Sequence, residues 1–83
     1  MGQAGKVGPR LARLRRETGM SQRALGDLSG VSFGYIARIE KGERSPSVET
    51  IRQLAEALGV SAYYLETGDE GGDLVYVTKG ATV

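Results

Sequence analysis

The chain has no cysteine, no histidine and no tryptophan among its 83 residues, so the side chains behind most covalent and metal chemistry are missing. A thiolate or imidazole metal site, a Cys-His pair and a Ser-His-Asp triad all need residues that are not there. Carboxylates are present, but no pair of them at a sensible spacing converges with a candidate nucleophile. No enzymatic activity, catalytic residue, metal or cofactor is therefore expected. What the chain does have is positive charge concentrated in one half. Residues 1–44 hold nine cations (Lys6, Arg10, Arg13, Arg15, Arg16, Arg23, Arg38, Lys41 and Arg44) against four acids (Glu17, Asp27, Glu40 and Glu43), a net +5. Residues 45–83 hold two cations against six acids, a net −4, so the overall +1 conceals a strong polarity. Such a molecule presents a basic face to a polyanion while its other end repels it. At this level a solvated, Arg-rich helix face explains the same numbers.

The elements that must carry these residues belong to a small chain. Eighty-three residues, 40% of them hydrophobic, make one domain, and without disulfides its stability has to come from helix packing or from association. The segment Met1-Gly2-Gln3-Ala4-Gly5-Lys6 has no apolar core of a signal peptide, and no stretch approaches 18 apolar residues, so a cytoplasmic location and no membrane partner are expected.

Helical periodicity dominates the first 67 residues. Val7, Leu11 and Leu14 fall at i, i+4, i+7 of a helix over 7–17, with Arg10, Arg13 and Arg16 facing elsewhere. Ser21 caps a second helix carrying Ala24, Leu25 and Leu28, which Gly30 closes. Ser32 caps a third, Phe33 to Lys41, with Ile36 and Ile39 on one side. At about 100° per residue, Gly34, Ala37, Arg38 and Lys41 lie on the opposite side, a face with two cations, two very small residues and no acid. Pro46 marks the start of a fourth helix capped by Ser45 or Ser47, with Val48, Ile51, Leu54, Ala55 and Leu58 as its buried stripe. A fifth runs from Ala62 to Glu66.

After Thr67 the composition changes to a Gly/acid linker, Gly68 to Asp73, and a β-prone run, Leu74 to Thr78. The expected organisation is a flexible 1–6, a domain over 7–67 and a tail over 68–83. An isolated strand of five residues is unstable in water, so the tail pairs with a second copy, packs on the bundle, stays loose or begins a larger domain.

Two short helices joined by a Gly turn are common in any helical protein, and the surrounding residues make the pattern specific. Ser21-Gln22, Leu25, Gly30-Val31-Ser32, Tyr35-Ile36, Arg38-Ile39-Glu40, Gly42, Arg44, Pro46-Ser47, Ile51, Leu54-Ala55 and Leu58-Gly59-Val60 together resemble the Cro/repressor-type, or xenobiotic-response-element-like, helix-turn-helix family. The resemblance covers about residues 7–67. It implies an all-α, lambda-repressor-like five-helix bundle whose second and third helices bind double-stranded DNA, here with a C-terminal tail that could add one β-strand.

The resemblance also implies roles. Phe33, Gly34, Ala37 and Arg38 are candidates for base edges, Arg38 through a bidentate bond to guanine or, one turn on, a phosphate clamp. Phe33 packs on a thymine methyl or folds back onto the core or a second subunit. Gln22, Ser32, Tyr35, Lys41 and Arg44 are candidates for phosphate contacts, with Gln22 in the first turn of the second helix, where the family uses this position in that way. Glu40 matches an acid that pairs with a basic residue of the first helix, here Arg15, as a structural pair; a solvated last-turn acid is the plain alternative. Arg13 and Arg16 face solvent and steer over long range. Two departures stand out: Gly26 where the family usually has Ala, and Leu28 where it is more often polar, an exposed contact rather than core. The expected function is transcriptional regulation, as a homodimeric repressor reading two successive major grooves about 34–36 Å apart. A protein-interaction module, an antitoxin or adaptor with a protein partner at the acidic C-terminal end, is the alternative.

Overall fold

The computed structural model describes residues 7–69, which form α1 (Val7–Glu17), α2 (Gln22–Ser29), α3 (Phe33–Glu40), α4 (Val48–Leu58) and α5 (Ala62–Thr67). No strand occurs among the described residues. The expectations for 1–6 and for the 74–78 strand fall outside them.

Four helices begin in the same way. Ser21, Ser32, Ser47 and Ser61 each have extended backbone, and each Oγ accepts from the N–H three residues on, at 2.9 Å (Ala24), 3.2 Å (Tyr35), 3.1 Å (Thr50) and 2.9 Å (Tyr64). Every such bond satisfies one of the N–H groups that a helix start leaves without a partner, worth about 1 kcal/mol. α1 instead carries Pro9 in its first turn, where a missing N–H costs no helical bond. The turn that matters most for the site is at Gly30, whose φ of 83° lets its N–H reach back to the Gly26 carbonyl at 2.8 Å. A side chain at that position would be strained, and the reversal it permits starts α3 three residues later.

Every helix sends at least one fully buried side chain to the centre: Leu11, Leu25, Ile36 with Ile39, Leu54 and Leu65. Burying each is worth about 1.5–3 kcal/mol, and because the five helices share this one cluster none can be removed without exposing the others. Val31, in the turn between α2 and α3, joins the same cluster and anchors the corner.

Two glycines let backbones touch. A Cβ on Gly8 would collide with the Ile39 carbonyl oxygen and stand 2.9 Å from that of Glu40, so α1 crosses the end of α3 at backbone distance. A Cβ on Gly26 would stand 2.8 Å from the Val31 carbonyl oxygen and 3.3 Å from the Phe33 nitrogen. The close α2–α3 approach expected at Gly26 is present.

Several boundaries differ from the sequence expectation. α3 stops at Glu40 with Lys41 as its C-cap, and α5 extends through Thr67. Ser47, not Ser45, caps α4, which places Pro46 ahead of the cap. Val48 leaves the buried stripe and is 70% exposed, while Thr50 is buried with its hydroxyl 3.0 Å from Ser47 Oγ. The stripe centres on Ile51, Leu54 and Leu58; Val48 lies at its margin and is the first residue of the helix, which leaves it largely uncovered. Leu28 is 62% exposed, in line with its reading as a surface residue.

Candidate nucleic-acid interface

Glu40 ends α3 and ties three helices together. Its side chain is 8% exposed and accepts two bonds from Arg15 of α1, Nε to Oε2 at 2.7 Å and Nη2 to Oε1 at 3.1 Å. Arg15 Nη1 also donates to the Met20 carbonyl at 2.9 Å, which fixes the approach to α2. The bonds to Glu40 hold the Arg15 guanidinium above its ordinary pKa, against the opposing effect of burial. A two-pronged guanidinium-carboxylate contact fixes orientation as well as distance, so the α1–α3 crossing angle is set by chemistry and not by packing alone.

The third bond to Glu40 comes from Gln22, whose Nε2 donates to Oε1 at 3.0 Å. An ionised carboxylate only accepts, so this contact decides which end of the Gln22 amide is nitrogen. One amide N–H is spent inside the protein, and the second remains for another acceptor at the start of α2. Gln22 is therefore oriented from behind by the structural pair.

The outward side of α3 carries the remaining candidates. Gly34, Arg38 and Lys41 are exposed, Ala37 is half-buried, and no acid belongs to this side of the helix. Nothing lies within 4 Å of where a Cβ on Gly34 would be, so the helix backbone is open to an approaching surface. Ser32, Gly34, Tyr35, Arg38 and Arg44 line one shallow depression. Within it, the Tyr35 hydroxyl points to the Ser45 carbonyl at 3.5 Å and the Arg44 guanidinium carbon stands 5.5 Å from the Tyr35 ring centroid. Tyr35 thus supports the loop that carries Arg44. Ser32 uses an Oγ lone pair for capping and keeps its O–H to donate. Lys41, at the C-cap, stands outside the depression.

Phe33 opens a neighbouring depression lined also by Arg23, Gly26, Asp27, Gly30, Val31 and Ser32. The ring is 44% exposed and does not fold into the core; the Arg23 guanidinium carbon lies 4.3 Å from its centroid. Arg23 was absent from the sequence-derived candidates. The signal for it was Gly26, one turn further along α2, which marks where the two helices come close enough for their first turns to share side chains.

α1 is different. Arg10 Nη1 donates to the Leu65 carbonyl at 2.8 Å, and Arg13 donates to Tyr64 Oη at 2.9 Å and to Glu17 Oε2 at 3.2 Å. The bonds to Tyr64 and Glu17 raise the Arg13 pKa. Arg13 is solvent-facing as expected, yet it also fastens α5.

Known proteins resemble this chain in sequence and share its fold. Residues 11–65 match the model of a family described as helix-turn-helix. The chain is 48% identical over 61 residues to an uncharacterized HTH-type transcriptional regulator, y4dJ, of Sinorhizobium fredii, a match covering 74% of this chain and 79% of that protein. It spans only 39% and 29% of the length of two further HTH-type transcriptional regulators. Among solved structures, the restriction-modification controller protein C.AhdI of Aeromonas hydrophila superposes with a TM-score of 0.72 at 37% identity, covering 78% of this chain and 98% of that one. The DNA-binding domain of the P22 c2 repressor gives a TM-score of 0.70 at 35% identity, covering 82% of this chain and 84% of that one.

Proposed function

This chain belongs to the helix-turn-helix family, and from that premise we infer that it binds double-stranded DNA sequence-specifically as a transcriptional regulator, laying α3 in the major groove. The observation that carries this reading is the outward side of α3: cations and small residues, no carboxylate to repel phosphate, and open space over Gly34. Arg38 reaches the base edges beside Phe33, Gly34 and Ala37. The free N–H of Gln22, the Ser32 and Tyr35 hydroxyls, Lys41 and Arg44 hold phosphates on either side and set the helix in register.

The regulator acts as a homodimeric repressor by occupying its operator. One module of this size makes few base contacts, and two recognition helices on successive turns of the groove, about 34–36 Å apart, supply the specificity that one lacks. The exposed Tyr63 of α5, 52% accessible, suits such a contact because aromatic residues are enriched at interfaces. No described helix is long and apolar enough to cross a membrane; as a DNA-binding regulator the protein works in the cytoplasm, beside the DNA it reads. Selection of bound sequences from random duplex DNA tests the reading. The expected result is an enriched palindrome with half-sites one helical turn apart; an unenriched pool would overturn it.

A further inference from the structure

An exposed phenylalanine at the first residue of a groove-facing helix needs an explanation, because its ring offers no hydrogen bond to a base edge. The core does not use it: Phe33 is 44% exposed and belongs neither to the buried cluster nor to the partly buried hydrophobics packed against it. Among the features of the major groove, the apolar one is the methyl group at C5 of thymine. The same methyl at the same carbon distinguishes 5-methylcytosine from cytosine.

The ring is also held. Arg23 places its guanidinium carbon 4.3 Å from the Phe33 centroid, a cation–π distance that favours one ring orientation and covers one face. Gly26 makes the stack possible: it lies one turn after Arg23 on α2, and with no Cβ it lets α2 approach the Phe33 backbone, where even a methyl group would stand 3.3 Å from the nitrogen. Beside the ring, the next residue of α3 is Gly34, and nothing lies within 4 Å of where its Cβ would be, so the helix next to Phe33 is open to an approaching base. The guanidinium keeps its in-plane N–H groups for an acceptor such as a phosphate oxygen or a purine edge.

We propose that Phe33 and Arg23 together read the 5-methyl group of a pyrimidine, Phe33 by contact and Arg23 as the positioning residue, so that the protein distinguishes thymine from uracil and 5-methylcytosine from cytosine under the first turn of α3. This rests on the DNA reading above and extends it to a chemical modification of the substrate.

Duplexes retained by the full chain from a random pool are resynthesised with each thymine in turn replaced by deoxyuridine and each cytosine by 5-methylcytosine, and their affinities are compared. At the position under Phe33, removing the methyl is expected to weaken binding about fourfold, the equivalent of one buried methyl group, and adding it to cytosine to strengthen binding. Phe33→Ala binds methylated and unmethylated duplexes alike. Arg23→Ala narrows the ratio, and so does Arg23→Lys, which keeps the charge and the salt dependence but loses the planar stack. Both residues are exposed, so the circular dichroism of each variant is expected to match that of the parent. Parent protein that ignores the methyl at every position would overturn the proposal while leaving DNA recognition intact. A ratio unaffected by Arg23→Ala would overturn the part given to Arg23, and a pool with nothing retained would overturn the DNA reading and this inference together.

Discussion

Arginines of α1 and the cations of α2, α3 and the loop that follows come from the same basic half of the chain, yet they do opposite work. On α1, Arg10, Arg13 and Arg15 each donate inward or sideways, to the Leu65 carbonyl, to Tyr64 with Glu17, and to Glu40. Arg38, Lys41 and Arg44 form no ion pair among the described residues, and Arg23 only stacks on an aromatic ring. A guanidinium that already donates within the protein adds stability and has fewer donors left for a polyanion. One that keeps its hydration exchanges water and counterions for phosphate when DNA arrives. Total charge therefore overstates the binding face and understates what holds the bundle together.

The strongest way to break this contrast is at Glu40. Glu40→Ala leaves Arg15 largely buried without its partner and is expected to cost about 3 kcal/mol of stability in denaturant unfolding, with Gln22 released at the same time. Arg38→Ala should do the reverse: unfolding within about 0.5 kcal/mol of the parent, and specific DNA binding weaker by about 2 kcal/mol with one base position relaxed in titrations. Arg10→Ala removes the bond to the Leu65 carbonyl of α5 and is expected to lower stability by about 1 kcal/mol while leaving the slope of affinity against salt unchanged. The smallest effect belongs to Lys41→Ala, which should weaken all sequences alike and flatten that slope by about one unit. If Arg10 and Lys41 exchanged signatures, with Arg10→Ala altering the salt slope and Lys41→Ala the unfolding, the division between the two groups of cations would be wrong.

Much of this was legible in the residues because it is local. A serine three residues ahead of a backbone N–H, a Gly at the end of an apolar stripe and the short spacings Leu11 to Leu14, Ile36 to Ile39 and Ile51 to Leu54 each act within a turn or two of chain, and they mark the helices to within a residue except at the start of α4, expected at Pro46 and found at Val48. Val48 is the exception that shows the limit: its spacing fits the stripe, but whether a neighbour covers the margin of a helix end depends on where the other helices lie. The Arg15–Glu40 pair was expected through the family resemblance, and the geometry adds Gln22 to it as a third member. Arg23 carried only the indirect mark of Gly26, one turn further along α2, since its partner Phe33 is on another helix.

Residue order was thus sufficient for the five helices, the caps at Ser21 and Ser32, most of the shared core and the acid-free side of α3, while the choice of Ser47 over Ser45 and the exposure of Val48 were left to the fold. The former follow from short-range hydrogen bonding and from apolar periodicity, which depend on neighbours along the chain. The partition of the cations, the orientation of the Gln22 amide and the Arg23–Phe33 stack were settled by how α1, α2 and α3 cross, because each is a contact between side chains on different helices. Two glycines control those crossings: Gly8 sets α1 against the end of α3, and Gly26 sets α2 against its start. A missing Cβ is visible in any sequence, but the backbone it admits is found only in the folded chain.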